Sequence, residues 1–265
     1  MNLNAFYPDL NEKPLDRLPE DGGFCGIFRT IGCIGDSLSS GEFESMDDNG
    51  LKGYHDMYEY SWGQYMARMV GAKVYNFSCG GMSARGFWNE FGNKCGCFDV
   101  QNACQAYILA LGVNDAHSIE LGSLSDLNEQ NFYAPNQPET FANYYGKILL
   151  KLRQMQPKSR IFLMSMPRTD DPVHNEQAER HAALLHDFAA HFPFMYVIDF
   201  TKYAPVYDEA FRKQFNLGGH LNPMGYMLTA KMTAAYIDYI IRHNAEDFAQ
   251  VGFIGKPYYN CAAKW

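Results

Sequence analysis

Residues 30–38 read T-I-G-C-I-G-D-S-L, and this stretch decides the fold class. Its first six residues form an apolar run with the length of a buried strand, and the polar residues Asp36 and Ser37 follow at once. Four more runs of this kind recur along the chain, at 73–77, 106–111, 160–165 and 194–199. Strands that are apolar along their whole length indicate a sheet that is covered on both faces.

Between these runs lie amphipathic stretches with the periodicity of α-helices. The predicted helices are 59–70, 139–155, 175–191 and 223–243. Their ends carry ordinary helix signals, because Gly71 and Pro157 follow the first two helices and Pro223 opens the last. Alternating strands and helices predict an α/β fold with a parallel five-stranded sheet, right-handed crossovers and a ligand crevice at the carboxyl ends of the strands.

The length and composition fit one globular unit. The chain has 265 residues, of which 47% are hydrophobic and 20% are charged, and this balance excludes intrinsic disorder. Neither an internal repeat nor a linker rich in Pro, Gly or Ser divides the sequence. We therefore expect a single domain over residues 1–265, with its core at about 30–243 and with irregular segments at both ends that wrap around it.

The charge balance and the cysteine count limit the partners and the compartment. The net charge of −8 argues against binding to nucleic acid or to an anionic membrane, since both need a basic surface. No apolar run reaches the ~18 residues of a membrane span, and the first residues lack the basic and apolar regions of a secretory signal. Seven cysteines, an odd number, fit a reducing compartment better than a disulfide framework, so we expect a cytoplasmic protein. The oligomeric state leaves no mark in the sequence.

Two groups of metal-binding residue types occur, and neither has the spacing of a metal site. Cys95 and Cys97 are separated by one residue instead of two, and no second pair follows them, although Cys104 is near. Four histidines lie in or beside the third predicted helix, at spacings that differ from the i, i+4 spacing of a helical zinc pair. They are His174, His181, His186 and His191. We therefore expect no metal ion at either group.

Residues that can carry out acyl transfer follow the predicted strands. Ser37 follows the first strand, Gly81 lies after the second, Asn114 follows the third, and His220 lies just before the last helix. A serine hydroxyl needs a base such as a neutral imidazole to take its proton, and the resulting oxyanion needs N–H donors aimed at it. Taken singly, each residue also suits a turn or a helix cap, but their shared position at strand ends favours one site.

The segments around these residues resemble the sequence blocks of the SGNH hydrolases, also called the GDSL esterase/lipase superfamily. Residues 35–38 (G-D-S-L) match the first block, Gly81 in N-F-S-C-G-G matches the second, residues 112–115 (G-V-N-D) match the third, and His220 matches the fifth. The resemblance covers roughly residues 30–243. It implies a flavodoxin-like, three-layer α/β/α fold and ester hydrolysis without a metal or an organic cofactor.

The resemblance also implies a role for each matching residue. Ser37 is the expected nucleophile, and His220 is the expected general base. The expected oxyanion hole consists of the Ser37 N–H, the Gly81 N–H and the Asn114 side chain. Asp36 is expected to support the turn that presents Ser37 and not to take part in the chemistry.

One position departs from the family pattern. The family usually has an aspartate three residues before the histidine, and this chain has Leu217 there. We therefore expect a Ser37–His220 dyad, in which the two glycines between positions 217 and 220 let a backbone carbonyl turn toward the imidazole. This hypothesis requires that no carboxylate oxygen lie within about 3.2 Å of His220 Nδ1. If a carboxylate is there, Asp199 and Asp208 are the residues that we expect to supply it.

Aromatic residues surround the first two blocks and could line a substrate pocket. They are Tyr54, Tyr58, Tyr60, Trp62, Phe87, Trp88 and Phe91. Most aromatic side chains fill protein cores. We therefore select only Trp88, which follows the second block, as a candidate substrate-binding residue.

The sequence thus predicts a serine esterase that acts on small or short-chain acyl esters. Deacetylation of carbohydrate esters is the leading activity, with an acetylated sugar as the small-molecule partner. A lysophospholipase or thioesterase of the same fold is the alternative within the family. A catalytically silent protein that binds a carbohydrate or another partner is the alternative outside it, and Leu217 is its motivation.

Overall fold

The computed structural model describes residues 7–256. Its strands, in chain order, are β1 (Thr30–Gly35), β2 (Glu42–Met46), β3 (Lys52–Asp56), β4 (Lys73–Ser78), β5 (Ala106–Ala110), β6 (Arg160–Met164), β7 (Met195–Ile198), β8 (Asn216–Leu217) and β9 (His220–Leu221). Five of them form one parallel sheet with the order β4-β1-β5-β6-β7. This is the 2-1-3-4-5 order of flavodoxin-like folds, so the predicted fold class is confirmed.

Helices cover both faces of the sheet. In chain order they are α1 (Ser37–Ser40), α2 (Trp62–Val70), α3 (Ala84–Gly86), α4 (Gly92–Lys94), α5 (Phe141–Met155), α6 (Pro172–His191), α7 (Phe200–Tyr203), α8 (Glu209–Phe215), α9 (Pro223–His243) and α10 (Ala245–Phe248). The α2 and α9 helices pack on one face, and α5 and α6 pack on the other, which gives the three layers α/β/α. None of the described helices is long and apolar enough to cross a membrane.

The two apolar cores follow from the alternation of side chains along each strand. In β1, Ile31 and Cys33 join the core that lies against α2 and α9, whereas Ile34 joins the core that lies against α5 and α6. All three side chains are almost completely buried. A strand that is buried on both faces needs apolar residues at every position, which explains the unbroken apolar run in the sequence.

The predicted elements of this core are present, and side-chain caps set where the helices begin. Each of the five sheet strands agrees with its predicted bounds to within one residue. The helix predicted at 59–70 begins at Trp62, because Ser61 Oγ accepts the Gln64 N–H and caps it. The helix predicted at 175–191 begins at Pro172, after the cap Asp171.

Two antiparallel hairpins are additions that the sequence patterns do not predict. The β2 strand pairs with β3, and β8 pairs with β9. The β2–β3 hairpin follows α1 directly, and Asp47 closes its turn by accepting the Asn49 and Leu51 N–H groups. The β2 strand also contacts β9, so the two hairpins meet at the carboxyl edge of the sheet.

The segment that precedes β1 is tied to α9 by buried charges. Glu12 contacts Arg242 through both of its oxygens, at 2.6 and 2.7 Å, and Arg242 Nε lies 2.9 Å from Asp238 Oδ2. The other oxygen of Asp238 accepts the Phe24 N–H at 2.7 Å. The side chains of Arg242 and Asp238 are each 3% exposed. Residues 1–6 and 257–265, with Cys261 and the last nine residues of the predicted C-terminal wrapping segment, lie outside the described residues.

Candidate active site

Three of the predicted site residues follow neighbouring strands at one edge of the sheet. The last residue of β1 is in register with Ser78 of β4 and with Ala110 of β5. Because the strands are parallel, Ser37, Gly81 and Asn114 all follow strands that end at this edge. They lie beside the switch in strand order where folds of this class bind their ligands.

Ser37 begins α1 directly after β1. Asp36 caps this helix, because its Oδ1 accepts the Leu38 N–H at 3.0 Å. The Asp36 side chain is almost fully buried, and this burial raises the pKa of its carboxyl to about 7. Ser37 is half-buried, and within residues 7–256 its hydroxyl has no hydrogen-bond partner. Its N–H occupies the first helical position, where no acceptor within the helix can take it.

The loop after β5 is tied to the loop after β4. Asn114 Nδ2 donates to Met82 O at 2.9 Å, which fixes the amide plane and leaves a second N–H for a ligand. Asp115 is buried, and both of its carboxylate oxygens accept the Ala84 N–H at 3.0 Å. Burial raises the pKa of Asp115 to about 6. These contacts hold Asn114 beside the loop that contains Gly81.

Gly81 has the backbone conformation that favours glycine. Its φ is +69°, in the left-handed region, whereas a Cβ at this position would meet no atom within 4 Å. The backbone conformation and not crowding is therefore the reason for a glycine here. Among the described residues no backbone acceptor takes the Gly81 N–H, so this donor is free to bind a ligand.

His220 begins β9 and lies between two glutamates. Its Nδ1 is 3.0 Å from Glu44 Oε1, and its Nε2 is 3.1 Å from Glu42 Oε1. The expectation that no carboxylate lies within about 3.2 Å of Nδ1 is therefore wrong, and with it the dyad held by a backbone carbonyl. A carboxylate can hold the tautomer and also stabilise an imidazolium, whereas a carbonyl dipole does the second only in part.

The position of both glutamates follows from the alternation of β2. Glu42 and Glu44 are two residues apart in a strand, so they project from the same face of the hairpin. Phe43 projects from the opposite face and packs edge-on against Tyr60 and Tyr226, with ring centroids 5.6 Å apart in both pairs. The turn with Asn-Gly at positions 49 and 50 is the signal in the sequence that could have revealed this hairpin.

The two glycines before His220 make room for Glu44. A Cβ on either Gly218 or Gly219 would overlap a carboxylate oxygen of Glu44, and Gly218 has a left-handed φ of +66°. The Gly219 N–H donates to Glu44 Oε1 at 2.7 Å. The glycines therefore admit a carboxylate, and they do not turn a carbonyl toward the ring as the sequence suggested. Leu217 is 48% exposed and lies opposite His220 in the β8–β9 pair.

Glu44 is held in its ionised form. Its side chain is 8% exposed, and this desolvation raises its pKa. Hydrogen bonds from His220, Lys52 and Gly219 outweigh the desolvation and hold the pKa of Glu44 below its ordinary value. Lys52 Nζ lies 3.1 Å from Glu44 Oε2. An ionised Glu44 favours a proton on His220 Nδ1, so Nε2 is the nitrogen that can face a substrate.

Glu42 lies on the other side of the imidazole, against the loop after β4. Its Oε2 is so close to Gly80 that a Cβ there would overlap it. Its side chain is 12% exposed, and burial raises its pKa above the ordinary value, while His220 lowers it and Asp56 and Glu44 raise it further. Within the described part of the chain, the Glu42 carboxylate accepts no hydrogen bond, and its close contact is the one with His220.

The two carboxylates that the sequence suggested as partners of His220 lie elsewhere. Asp199 caps α7, and its Oδ2 is 3.1 Å from His186 Nε2. Asp208 caps α8 by accepting the Phe211 N–H at 2.9 Å. Neither carboxylate is therefore the partner of His220, and Glu44 takes that place.

Trp88 lies in a π-helical segment (Phe87–Phe91) and belongs to an aromatic cluster. Its ring centroid is 5.9 Å from those of Phe98 and Phe132 and 5.6 Å from that of Tyr133. Lys147 Nζ lies 6.0 Å from the same ring. Packing explains the position of Trp88, and a contact with substrate stays a prediction.

The four helix histidines each have a separate partner. His174 contacts Pro167 O, His181 contacts Leu111 O, His186 contacts Asp199, and His191 contacts Glu129. Burial lowers the pKa of His181 to about 4, so this ring is neutral at physiological pH. Among residues 7–256, no three His, Cys, Asp or Glu side chains group closely enough to hold a metal ion.

A small apolar cavity of about 60 Å³ lies beside the site. Leu38, Val113 and Leu221 line it, and each is the chain neighbour of a predicted site residue. Pro167 and Tyr207 form part of the remaining wall. Ser37, Gly81, Asn114 and His220 do not line the cavity themselves, and Leu221 follows His220 in β9 and so projects from the opposite face of that strand.

Sequence and structure comparisons relate the chain to known proteins. Residues 33–228 match the model described as the GDSL-like lipase/acylhydrolase family. No curated protein matches the chain by sequence.

Three solved structures share the fold at low sequence identity. A carbohydrate esterase family 2 enzyme with a carbohydrate binding domain, from Corynascus thermopiles (Myceliophthora fergusii), is 14% identical with a TM-score of 0.54, over 84% of this chain and 67% of that one. A family two carbohydrate esterase from Clostridium thermocellum, in complex with cellohexaose, is 13% identical with a TM-score of 0.52, over 83% and 65%. A possible lipase from Chitinophaga pinensis DSM 2588 is 17% identical with a TM-score of 0.50, over 82% and 98%.

Proposed function

Because the chain belongs to the GDSL-like lipase/acylhydrolase family, we propose that it is a serine esterase that removes small acyl groups, acetyl above all, from carbohydrate esters. The observation that carries this proposal is the contact of 3.0 Å between Glu44 Oε1 and His220 Nδ1. It supplies the carboxylate that the chain lacks at Leu217. The motive for a catalytically silent protein therefore disappears.

In the proposed reaction, Ser37 Oγ attacks the carbonyl carbon of the ester while His220 Nε2 takes the hydroxyl proton. Glu44 keeps the other ring proton on Nδ1 and stabilises the imidazolium without taking the proton itself. The negative oxygen of the tetrahedral intermediate accepts hydrogen bonds from the N–H groups of Ser37 and Gly81 and from the Asn114 amide.

The intermediate then collapses, and the bond between the carbonyl carbon and the alcohol oxygen breaks. His220 gives its proton to the leaving alcohol, and the acyl group stays on Ser37. A water molecule attacks this acyl-enzyme in the same way, with His220 again as the base. The products are one alcohol and one carboxylic acid, and Ser37 is regenerated.

A carbohydrate as the alcohol portion is supported by a fold shared with proteins described as carbohydrate esterases. The small acyl portion is part of the same proposal, and the series of acyl lengths described below tests it. A lysophospholipase or thioesterase needs a longer or differently shaped acyl site.

We also propose that the protein works in the cytoplasm. The support is the odd number of cysteines together with the free thiols of all six described cysteines. The small molecule that it acts on is then a cytoplasmic acyl ester.

Loss of the nucleophile tests the proposed function. Ser37→Ala should lower kcat on p-nitrophenyl acetate by several orders of magnitude without loss of the fold.

Asn114→Ala should lower kcat by roughly 10²–10³ with little change in KM, because one oxyanion donor is lost. Ser125→Ala, an exposed serine, is the matched control and should leave turnover unchanged.

The same assay separates the alternatives. A series of p-nitrophenyl esters with increasing acyl length should show the highest kcat/KM at acetate, and a maximum at long chains would favour the lysophospholipase or thioesterase. Acetylated sugars should be hydrolysed with release of acetate. A folded Ser37→Ala protein with unchanged turnover would remove Ser37 from the reaction.

A further inference from the structure

Glu42 lies where the leaving alcohol of a substrate must come. Since Glu44 holds Nδ1, His220 can deliver a proton to the leaving oxygen only from Nε2. Glu42 Oε1 lies 3.1 Å from that Nε2, and Glu42 Oε2 abuts Gly80 in the loop of the predicted oxyanion hole. An ester that reaches both Ser37 and His220 therefore has its alcohol portion beside the Glu42 carboxylate.

A bound ester also takes away the contact with His220, the one close partner that Glu42 has among the residues that the structure describes. The carboxylate is 12% exposed and accepts no hydrogen bond within residues 7–256. When Nε2 turns to Ser37 Oγ and then to the leaving oxygen, the contact between Glu42 and His220 is lost. A buried carboxylate without a donor is costly, so a substrate that brings a donor is bound better than one that does not.

We propose that Glu42 determines specificity for the alcohol portion of the substrate. Its carboxylate accepts a hydrogen bond from a hydroxyl on the carbon adjacent to the one that bears the ester oxygen. The substrate is therefore the monoester of a vicinal diol or polyol. This inference rests on the proposed esterase function and narrows its substrate class.

The same carboxylate rejects an anionic alcohol. Glu42 is paired across the hairpin with Asp56, and Glu44 is already paired with Lys52, so the carboxylates of Glu42 and Asp56 remain on the alcohol side of the imidazole. A phosphate or carboxylate group close to the ester oxygen meets like charges in a partly desolvated place. Esters of anionic alcohols are therefore poor substrates.

Three acetates with alcohols of similar size test this specificity. They are 2-hydroxyethyl acetate, propyl acetate and acetoxyacetate, which carry a hydroxyl, a methyl and a carboxylate at the same place. For each protein, the kcat/KM values of the three acetates are expressed as ratios. A change in turnover that affects all three acetates equally then cancels. The wild-type protein should prefer 2-hydroxyethyl acetate over propyl acetate by at least about tenfold and should hydrolyse acetoxyacetate most slowly.

Two variants separate hydrogen bonding from charge. Glu42→Leu should bring the ratio of 2-hydroxyethyl acetate to propyl acetate close to one, because no acceptor remains. Glu42→Gln should keep the preference for the hydroxyl, since the amide oxygen still accepts a hydrogen bond. The same variant should raise kcat/KM for acetoxyacetate relative to kcat/KM for propyl acetate, because the negative charge is gone. Asp48→Asn removes the same charge from the exposed turn of the same hairpin and should show the wild-type ratios.

The outcomes are distinguishable. Equal ratios in the wild type and in Glu42→Leu overturn the role of Glu42 while the esterase function stands. If Glu42→Leu does not fold, an unchanged ratio of acetoxyacetate to propyl acetate in Glu42→Gln overturns it instead. A folded wild-type protein that hydrolyses none of the three acetates and no p-nitrophenyl acetate overturns the esterase function and this inference together.

Discussion

Glu44 and His220 are 176 positions apart in the chain, yet a single contact between them replaces a short sequence motif. In the pattern that this family usually shows, the acid precedes the histidine by three residues. Here the carboxylate beside His220 comes from β2, only seven residues after Ser37, the proposed nucleophile. The imidazole needs a carboxylate placed beside Nδ1, and that carboxylate can come from any part of the chain that the fold brings there.

The first prediction concerns this replacement. Glu44→Ala should lower kcat on p-nitrophenyl acetate by about 10²–10⁴ with a small change in KM, because the imidazolium loses its carboxylate. Adding Leu217→Asp to that variant should restore part of kcat. Residue 217 is directly opposite His220 in the β8–β9 pair, and the side chains of opposed residues share a face.

Steady-state kinetics of the wild type, the single variant and the double variant measure this effect. Glu59→Ala, which removes an exposed glutamate, is the control and should keep wild-type kcat. Wild-type turnover in Glu44→Ala would exclude Glu44 from the reaction. A double variant no faster than Glu44→Ala would show that position 217 cannot reach Nδ1.

The second prediction concerns the buried carboxyl of Asp36. Burial raises its pKa to about 7 in the folded protein, above the ordinary value of about 4 that it has in the unfolded chain. The folded state therefore binds this proton more tightly than the unfolded state. The resulting stability is fully present below about pH 4 and is lost as the pH rises through about 7.

Asp36→Asn isolates this charge, because asparagine is an equally good helix cap. The variant should be more stable than the wild type at about pH 8, by up to a few kcal/mol, and this advantage should vanish near pH 4. Urea unfolding at both pH values measures it, and Asp48→Asn at an exposed turn should show no such pH dependence. A stability difference that is the same at both pH values would contradict the buried charge.

At the scale of the elements, the sequence predicts the strands whose residue types are set by burial in the core. The strand β1 and its four partners were predictable because a strand buried on both faces must be apolar throughout. The positions of Ser37, Gly81 and Asn114 at one edge of the sheet were predictable because these residues follow such strands, and their roles in catalysis stay predictions. The contacts of Glu42 and Glu44 were not predictable, since β2 is short and polar, and its pairing depends on a turn and on the packing of Phe43.

The third prediction tests how the β8–β9 hairpin fits the β2–β3 hairpin. Gly218 and Gly50 both have a left-handed φ, of +66° and +78°. A Cβ at Gly218 would overlap Glu44, whereas one at Gly50 would meet no atom within 4 Å. Alanine should therefore cost each variant about 1 kcal/mol of stability. Only Gly218→Ala should also displace Glu44 and lower kcat, by about tenfold or more.

Thermal unfolding and ester hydrolysis of the two glycine variants measure both effects. The Gly50→Ala variant thus controls for backbone strain without crowding. Equal kcat in the two variants would mean that Glu44 tolerates a side chain at position 218, and the glycine would then serve the backbone alone.

At the scale of the whole molecule, the two apolar cores enclose most of the described cysteines. Cys25, Cys33, Cys97 and Cys104 are buried, and Cys79 and Cys95 are half-buried. Burial raises the pKa of all six thiols, to about 12 for Cys25 and for Cys104. A thiol reacts as its thiolate, so the folded protein should protect the buried four strongly.

The fourth prediction is a thiol count. The denatured, unreduced protein should contain seven titratable thiols, as expected for a reducing compartment. In a folded Cys261→Ser protein, only Cys79 and Cys95 should react quickly, and serine at both positions should abolish the fast phase. A count of one in the denatured protein would mean three disulfides and an oxidising compartment.

The ion pair between Glu12 and Arg242 limits how far the chain can be shortened for expression. The family match ends at residue 228, inside α9, and begins after Glu12 and Phe24. A fragment cloned to those limits would lack most of the helix that covers one face of the sheet, and a cut at the front alone would leave Arg242 without Glu12 in a buried place. Expression of such fragments should give aggregates, whereas a fragment of residues 7–256 contains both Glu12 and Arg242 and should fold.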